Sequence, residues 1–457
     1  MSGVVIRLEP PQRGLRQITG MVCQVDEAPF PGISRSPGRL RRIPSTKGRA
    51  GDPTPIEHQG ARLATWLCQD EAIKAVIERV RERRDPPSVP IRLHVQDDAA
   101  HALPWETLYI DAFLALDPLS PIARIPRGTT AEARDPVRPL ALPLRITCVL
   151  SARGADALPQ WTAIHSAVEA ARKKGLAIRL TVISGDEPIL AAARQAQKSD
   201  PDLHVEPVPG PDAPVPLLQL IRSTEPHLLH FFAHGDIDAN KTQRILVATI
   251  SDVDSDSGIL DASEVGRMAA EVGTWCVTLA ICRGADATAG GFTHAEAIVY
   301  RGVPAAIAMR SEIEEADANR FTTSWFPAAL EVLGAVTLPP SPVTQRRPLQ
   351  WADTLIRPRM ELRDRNGANA GANGVWAVPV LYVLPGTFQI EVPATPPAGA
   401  RDPAAVAPVR TVAHEMQAQE RLSAQSELER LIATLPPDTP PELIALLRAQ
   451  AHREEPR

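Results

Sequence analysis

From Leu144 onward short apolar runs alternate with amphipathic stretches, and this alternation limits the possible folds more than any other feature of the chain. The runs LRITCVLS (Leu144–Ser151), AIRLTVIS (Ala177–Ser184), LLHFFA (Leu228–Ala233), VTLAI (Val277–Ile281) and PAAIAMR (Pro304–Arg310) are short and mostly apolar. Strands of that kind are buried on both faces, which a parallel sheet covered by helices provides. The intervening stretches Trp161–Gly175, Pro188–Ser199, Val215–Thr224, Ala262–Glu271, His294–Tyr300 and Ala316–Leu333 have helical spacing. Asp261 or Ser263 is available as N-cap for the fourth of them. A weaker strand at His204–Val208, the strand Arg244–Ile250, a helix at Leu349–Asp364 and a last strand at Trp376–Leu384 complete the set. The expected fold class is α/β: a three-layer α/β/α sandwich with a mainly parallel sheet.

The first 140 residues read as a second α/β lobe. Val4–Glu9 and Ile18–Val25 are expected strands, followed by a basic loop within Phe30–Gly51. Ala61–Arg83 has the spacing of one helix, Val89–Gln96 of a strand, and Leu103–Ile110 with Ala112–Asp117 of a strand pair around a turn. Trp105 and Glu106 read as packing residues. Pro121–Pro143, rich in proline, reads as a linker to residues 141–388. Residues 389–410 form a second, Pro/Ala-rich linker, and 411–457 a helical tail with helices at His414–Leu435 and Pro441–Ala451. Two such short amphipathic helices bury little by themselves, so they are expected to dock on the body or on a regulatory protein partner.

Composition narrows the function classes. A formal net charge of -5 gives no reason to expect a specific nucleic-acid partner. The N-terminus lacks a signal-peptide pattern, and no apolar run is long enough to span a bilayer. Cys23, Cys68, Cys148, Cys276 and Cys282 form neither a disulfide framework nor a metal-ligand spacing. The acidic loop Ser251–Ser257 lacks the ligand pattern of a calcium loop. The expectation is a cytoplasmic protein with no membrane span, no metal and no cofactor.

Two core runs stop at reactive side chains: His234 follows the first, Cys282 the second. Function in an open α/β sheet gathers at the carboxyl ends of strands. A thiol at the mouth of a loop is accessible, and an adjacent imidazole activates it. Gly235 and Cys282 would offer backbone amides to an oxyanion. Either residue alone is more often structural, a small buried hydrophobe or a satisfied histidine. Cys148 and Cys276, inside apolar runs, are read that way.

LLHFFAHGD (Leu228–Asp236), DSGILDASEV (Asp256–Val265), VTLAICRGAD (Val277–Asp286), AEAIVYRGVPAAIAMR (Ala295–Arg310) and WAVPVLYVL (Trp376–Leu384), in this order, resemble the CHAT family. These are caspase-like cysteine peptidases related to caspases, gingipains and separase. Upstream, LPWETLYID (Leu103–Asp111) and FLALD (Phe113–Asp117) resemble the same family's first half. The resemblance implies a caspase-like catalytic domain preceded by a non-catalytic lobe. It also implies a His-Cys dyad endopeptidase, with His234 as base, Cys282 as nucleophile and the Gly235 and Cys282 amides as oxyanion donors. No third, orienting residue is assigned. Many members carry Gly where this chain has Ala233, a small change next to the dyad. Relatives often read a basic residue before the scissile bond with carboxylates, for which Asp156 and Glu312 are the candidates. The activity implied is cleavage of a specific protein, in bacterial signalling, anti-phage defence or regulated cell death. The alternatives are a catalytically silent adapter and a cysteine hydrolase with a non-peptide substrate.

Overall fold

The computed structural model describes residues 3–10, 21–27, 30, 38–40, 56–129, 135–210, 214–238, 242–249, 257–281, 292–365 and 374–394. The first half contributes strands β1 (Val4–Glu9), β2 (Met21–Glu27) and β3 (Gly38–Leu40), helices α1 (Ile56–Leu67) and α2 (Glu71–Glu82), then β4 (Ile91–Val95) and β5 (Ile122–Ile125). The alternation read from the sequence comes next as β6 (Leu144–Leu150), α3 (Leu158–Lys173), β7 (Ile178–Ser184), α4 (Glu187–Gln197), β8 (Leu203–Pro207), α5 (Pro214–Ser223) and β9 (Leu228–Phe232). Three short strands succeed it: β10 (His234–Ile237), β11 (Gln243–Ala248) and β12 (Ser257–Asp261). The chain then forms α6 (Ala262–Glu271), β13 (Cys276–Ala280), α7 (His294–Tyr300), β14 (Ala305–Met309), α8 (Glu315–Thr337), α9 (Ile356–Asp364) and β15 (Pro379–Val383).

Twelve of these strands make one sheet, in the order β8-β7-β6-β9-β13-β14-β15-β5-β4-β1-β2-β3. From β8 to β14 the pairing is parallel throughout. This is the arrangement that fully buried strands require, and every residue of β9, β13 and β14 is buried. β10, β11 and β12 stand apart as a small antiparallel sheet, so Arg244–Ile250 is not part of the main ladder. Among the described residues no helix is long and apolar enough to cross a membrane. The described residues fall in one compact unit, Met1–Ala394. The expected tail helices, and nearly all of the basic and acidic loops, lie outside the described residues.

Several expectations change. The stretch read as a linker, Pro121–Pro143, contains β5, a core strand that pairs with β4 and, at Arg124, with Tyr382 of β15. Four residues bounded by Pro121 and Pro126 are too short to show a period, yet all four are buried. β5 thereby joins both halves in one sheet. The expected helix Ala61–Arg83 is two, because the Asp70 carboxylate accepts the Ile73 backbone N–H at 2.9 Å and caps α2. Leu103–Ile110 contains a 3-10 turn at Trp105–Thr107, and only Tyr109–Ile110 pairs with Ala112–Phe113, around Asp111 at φ 60°. Gln389–Val392, expected within a linker, is a strand.

One buried ion pair lies inside the first half. Arg124 donates through Nε and Nη2 to Glu106 (2.9 and 2.6 Å), and both residues are buried. Glu106 thus has a packing role with an ionic partner. Removing one member of such a pair leaves a buried charge alone, so Glu106→Ala is expected to lower the unfolding free energy by about 3–5 kcal/mol, measured by urea titration.

Burial holds several histidines neutral. Burial pulls His230 down to about 3. Burial with Arg145 beside it takes His227 to about 3, and burial with Arg7 takes His94 to about 4. Burial with Arg124 and Arg127 nearby takes His101 to about 2. Each folded value lies below the unfolded one, so at intermediate pH only the unfolded chain takes up the proton. Their contribution is complete above about pH 6.5 and shrinks below it, by about 1.4 kcal/mol per pH unit for each site. Urea midpoints should be flat from about pH 7 to 8 and fall steeply below pH 6.5, with a shallower fall in His230→Gln.

Candidate active site

Main-sheet strand β9 ends at Phe232, the chain bends at the buried Ala233, and His234 opens β10. The histidine therefore stands at the carboxyl edge of a central strand, pulled out of the sheet by antiparallel pairing of β10 with β11, where His234 faces Leu246 and Gly235 faces Ile245. The neighbouring loop after β6 is stitched to the same edge. Ser151 donates its backbone N–H to Phe232 (2.9 Å) and its hydroxyl to the Ala248 carbonyl (2.6 Å), and its Oγ accepts from Gly185 N–H (3.0 Å). Two residues on, the Arg153 carbonyl lies 2.6 Å from Nε2 of His234. Gly154, at φ 72°, turns the chain immediately after that carbonyl.

A carbonyl can only accept, so this contact assigns the ring proton to Nε2 and leaves Nδ1 with a lone pair. The exposed imidazole is thereby oriented and set as an acceptor at Nδ1. Sequence reasoning assigned no orienting group. A backbone carbonyl has no residue-type signature, so no signal in the sequence marks Arg153.

Cys282 lies outside the described residues. Up to it the strand is clear: Ala280 of β13 pairs with Phe232 of β9, and the buried Ile281 continues the chain. His234 and Cys282 are each two residues beyond that last matched pair. Cys148 and Cys276 are fully buried, and burial raises both thiols far above the ordinary range. Neither is suited to act as a nucleophile.

The two specificity candidates flank the His and Cys strands, one on each side. Asp156 is exposed in the connection between β6 and α3, where its Oδ1 accepts the Leu158 N–H at 2.9 Å. A second carboxylate, missed in the sequence, is near it. Asp186, ahead of α4, is raised by its own burial and then by the charge of Asp156. On the other side Glu312, after β14, lines a cavity of about 300 Å³ with Ile313, Glu314, Asp317, Arg365 and Val378. Arg365 pairs with Asp317 and approaches Glu314 at 3.8 Å.

Among the described residues His165, Glu169 and Asp200 come close enough to share a metal ion. Arg172 already bonds Glu169 (3.0 Å) and Asp200, supplying their counter-charge. A larger apolar groove of about 1130 Å³ runs between α3 and α8 from Asp156 and Leu158 to Leu338, and no histidine or cysteine lines it.

A parallel-sheet sandwich with a histidine, oriented by a carbonyl, at the end of a central strand defines the class as α/β. The CHAT domain model matches residues 58–332, and the chain belongs to that family of caspase-like proteases. Comparison with curated protein sequences finds no match. Among solved structures, a chain of the Saccharomyces cerevisiae separase–securin complex is similar at 14% identity and a TM-score of 0.36. The similarity covers 70% of this chain and 17% of that one.

Histidine ¹⁵N spectra of the full chain test the tautomer. His234 is expected to show a protonated Nε2 and an unprotonated Nδ1 when neutral, and the reverse pattern would break the Arg153 assignment.

Proposed function

We propose that this chain is a cysteine endopeptidase in which His234 activates Cys282. The observation that carries the reading is the bond between Arg153 and His234, which leaves Nδ1 free to take a proton at the edge where the two strands end. Transfer of the thiol proton to Nδ1 would give a thiolate and an imidazolium. The thiolate sulfur attacks the peptide carbonyl, forming the C–S bond. Its oxyanion is taken by the amides of Gly235 and Cys282. The imidazolium then returns its proton to the leaving amine as the C–N bond breaks, and water hydrolyses the thioester to regenerate the thiol.

Carboxylates on both sides of the two strands, Asp156 with Asp186 and the cavity holding Glu312, favour a basic side chain next to the scissile bond. The substrate is then a specific protein, with access to the dyad controlled by a protein partner. Signalling, defence against phage and regulated cell death are the settings in which such an activity would serve.

Two experiments test this. Co-expression with proteins encoded by neighbouring genes should give a discrete cleavage that is abolished in Cys282→Ala. It should fall by about 10²–10⁴-fold in His234→Ala, as expected for loss of a general base. Peptidyl acyloxymethyl ketones ending in Arg should label Cys282 faster than those ending in Leu, and Glu312→Gln or Asp156→Asn should erase the preference. Partner binding without cleavage in any form, with Cys282 unlabelled, would instead identify an adapter. Labelling without peptide-bond cleavage would point to a non-peptide substrate.

A further inference from the structure

His294, the first residue of α7, is fully buried and has no part in the chemistry proposed above. Its Nε2 lies 3.0 Å from the carbonyl oxygen of Arg244 in β11. That geometry puts the ring proton on Nε2. Burial holds the imidazole below its ordinary range. The Arg244 and Asp236 carbonyls and the Asp236 and Asp261 carboxylates oppose this less strongly. The ring is therefore a neutral donor at ordinary pH.

The position of Arg244 gives this bond its meaning. In the antiparallel ladder Arg244 faces Asp236, and Leu246, two residues along, faces His234. Strand β11 thus backs the strand that begins with the histidine. One end of β11 is fixed at Ala248, which donates its N–H to the Ser151 carbonyl (3.1 Å) and accepts from the Ser151 hydroxyl (2.6 Å). The other end is held at Arg244 by His294. On its other edge β11 pairs with β12, where Arg244 faces Asp261, so the His294 bond sets the tilt of an already paired strand, and with it the tilt of β10, relative to α7.

The anchor point is itself bonded to the first half of the chain. Thr293 and Glu296 form a reciprocal cap at the start of α7, with Glu296 N–H donating to Thr293 Oγ1 at 3.0 Å and Thr293 N–H to Glu296 Oε2 at 3.3 Å. The buried Glu296 carboxylate also accepts from Arg127 through the backbone N–H (2.8 Å), Nε (2.9 Å) and Nη2 (2.8 Å). Arg127 comes just after β5 in the first half of the chain and also pairs with Asp98. Moving the start of α7 would open a buried, bidentate ion pair, which is costly.

We infer that His294 is a positioning residue for His234: it ties β11 to the fixed start of α7 and so keeps the His234 ring where the Arg153 carbonyl reaches it. The inference rests on the reading of His234 and Cys282 as a dyad.

The test measures alkylation of Cys282 by iodoacetamide across pH in the full chain, read by peptide mass spectrometry. In the unaltered protein alkylation should persist well below the ordinary thiol range near pH 8.5, and His234→Ala should move the profile up toward it. His294→Leu should move it in the same direction, slowing alkylation near pH 6.5 by about five-fold. His294→Gln keeps an N–H donor for the Arg244 carbonyl and should stay within about two-fold of the unaltered rate. A His294→Leu profile superimposed on the unaltered one overturns the inference. So does His294→Gln reacting as slowly as His294→Leu, because the bond would then not be the cause. Should His294→Leu fail to fold, ¹⁵N spectra of the unaltered protein decide: a neutral Nε2–H ring at His294 is expected, and the other tautomer overturns the inference. If His234→Ala leaves the Cys282 profile unchanged, the dyad itself is wrong and the inference falls with it. A shift in His234→Ala with none in His294→Leu removes the inference alone.

Discussion

The parallel ladder between β9 and β13 is the constraint on which the rest of the structure depends. Leu228 to Phe232 run beside Cys276 to Ala280 without a slip, and both strands are buried on both faces. A shift of one residue would turn every side chain to the other layer, so packing on both sides locks the register. That register brings Phe232 and Ala280 to the carboxyl edge of the sheet as direct neighbours. Adjacent strands lie about 4.8 Å apart in the hydrogen-bonding direction. The chain therefore leaves the ladder at two neighbouring points, through Ala233 toward His234 and through Ile281 toward Cys282.

Around that ladder the fold uses directional bonds where apolar packing cannot choose an orientation. Ser151 binds β9, β11 and the residue that follows β7, and the loop it steadies delivers the Arg153 carbonyl to His234. Glu106 with Arg124 is a buried ion pair inside the first half, while across the junction of the halves Glu296 pairs with Arg127 and the Tyr382 hydroxyl meets Nε2 of His101 at 3.1 Å. Such pairs add little net stability compared with apolar packing, because desolvation offsets most of the attraction. Their directionality suits them to hold the first half of the chain in one position relative to the start of α7.

Much of this could be read from residues in order. Helices α6 and α7 have the bounds that their spacing indicates, and the Asp261 cap accepts from Ser263 and Glu264 as its residue type suggests. The strands that bear the histidine and lead to the cysteine stood out because continuous apolar runs admit few alternatives. β5 was missed because Ile122–Ile125 between prolines has no period, and its membership in the sheet is a long-range pairing with β4 and β15. The break between α1 and α2 was missed because the apolar spacing continues through it, while Asp70 ends one helix and caps the next.

For the proposed site, the identities of the candidate groups were local information. His234, Gly235, Cys282, Asp156 and Glu312 are marked by residue type and by the strand ends they succeed. Their supports were not, since an orienting carbonyl at Arg153, a donor at His294 and an ion pair between Arg127 and Glu296 depend on which distant segments meet. Backbone carbonyls look the same in every residue, and partners 50, 81 or 169 positions away leave no pattern along the chain. The sequence by itself determined a parallel α/β sheet and the candidate chemistry proposed at its edge. Only the tertiary structure decided how that chemistry is aimed, because orientation is a property of contacts between segments that folding alone brings together.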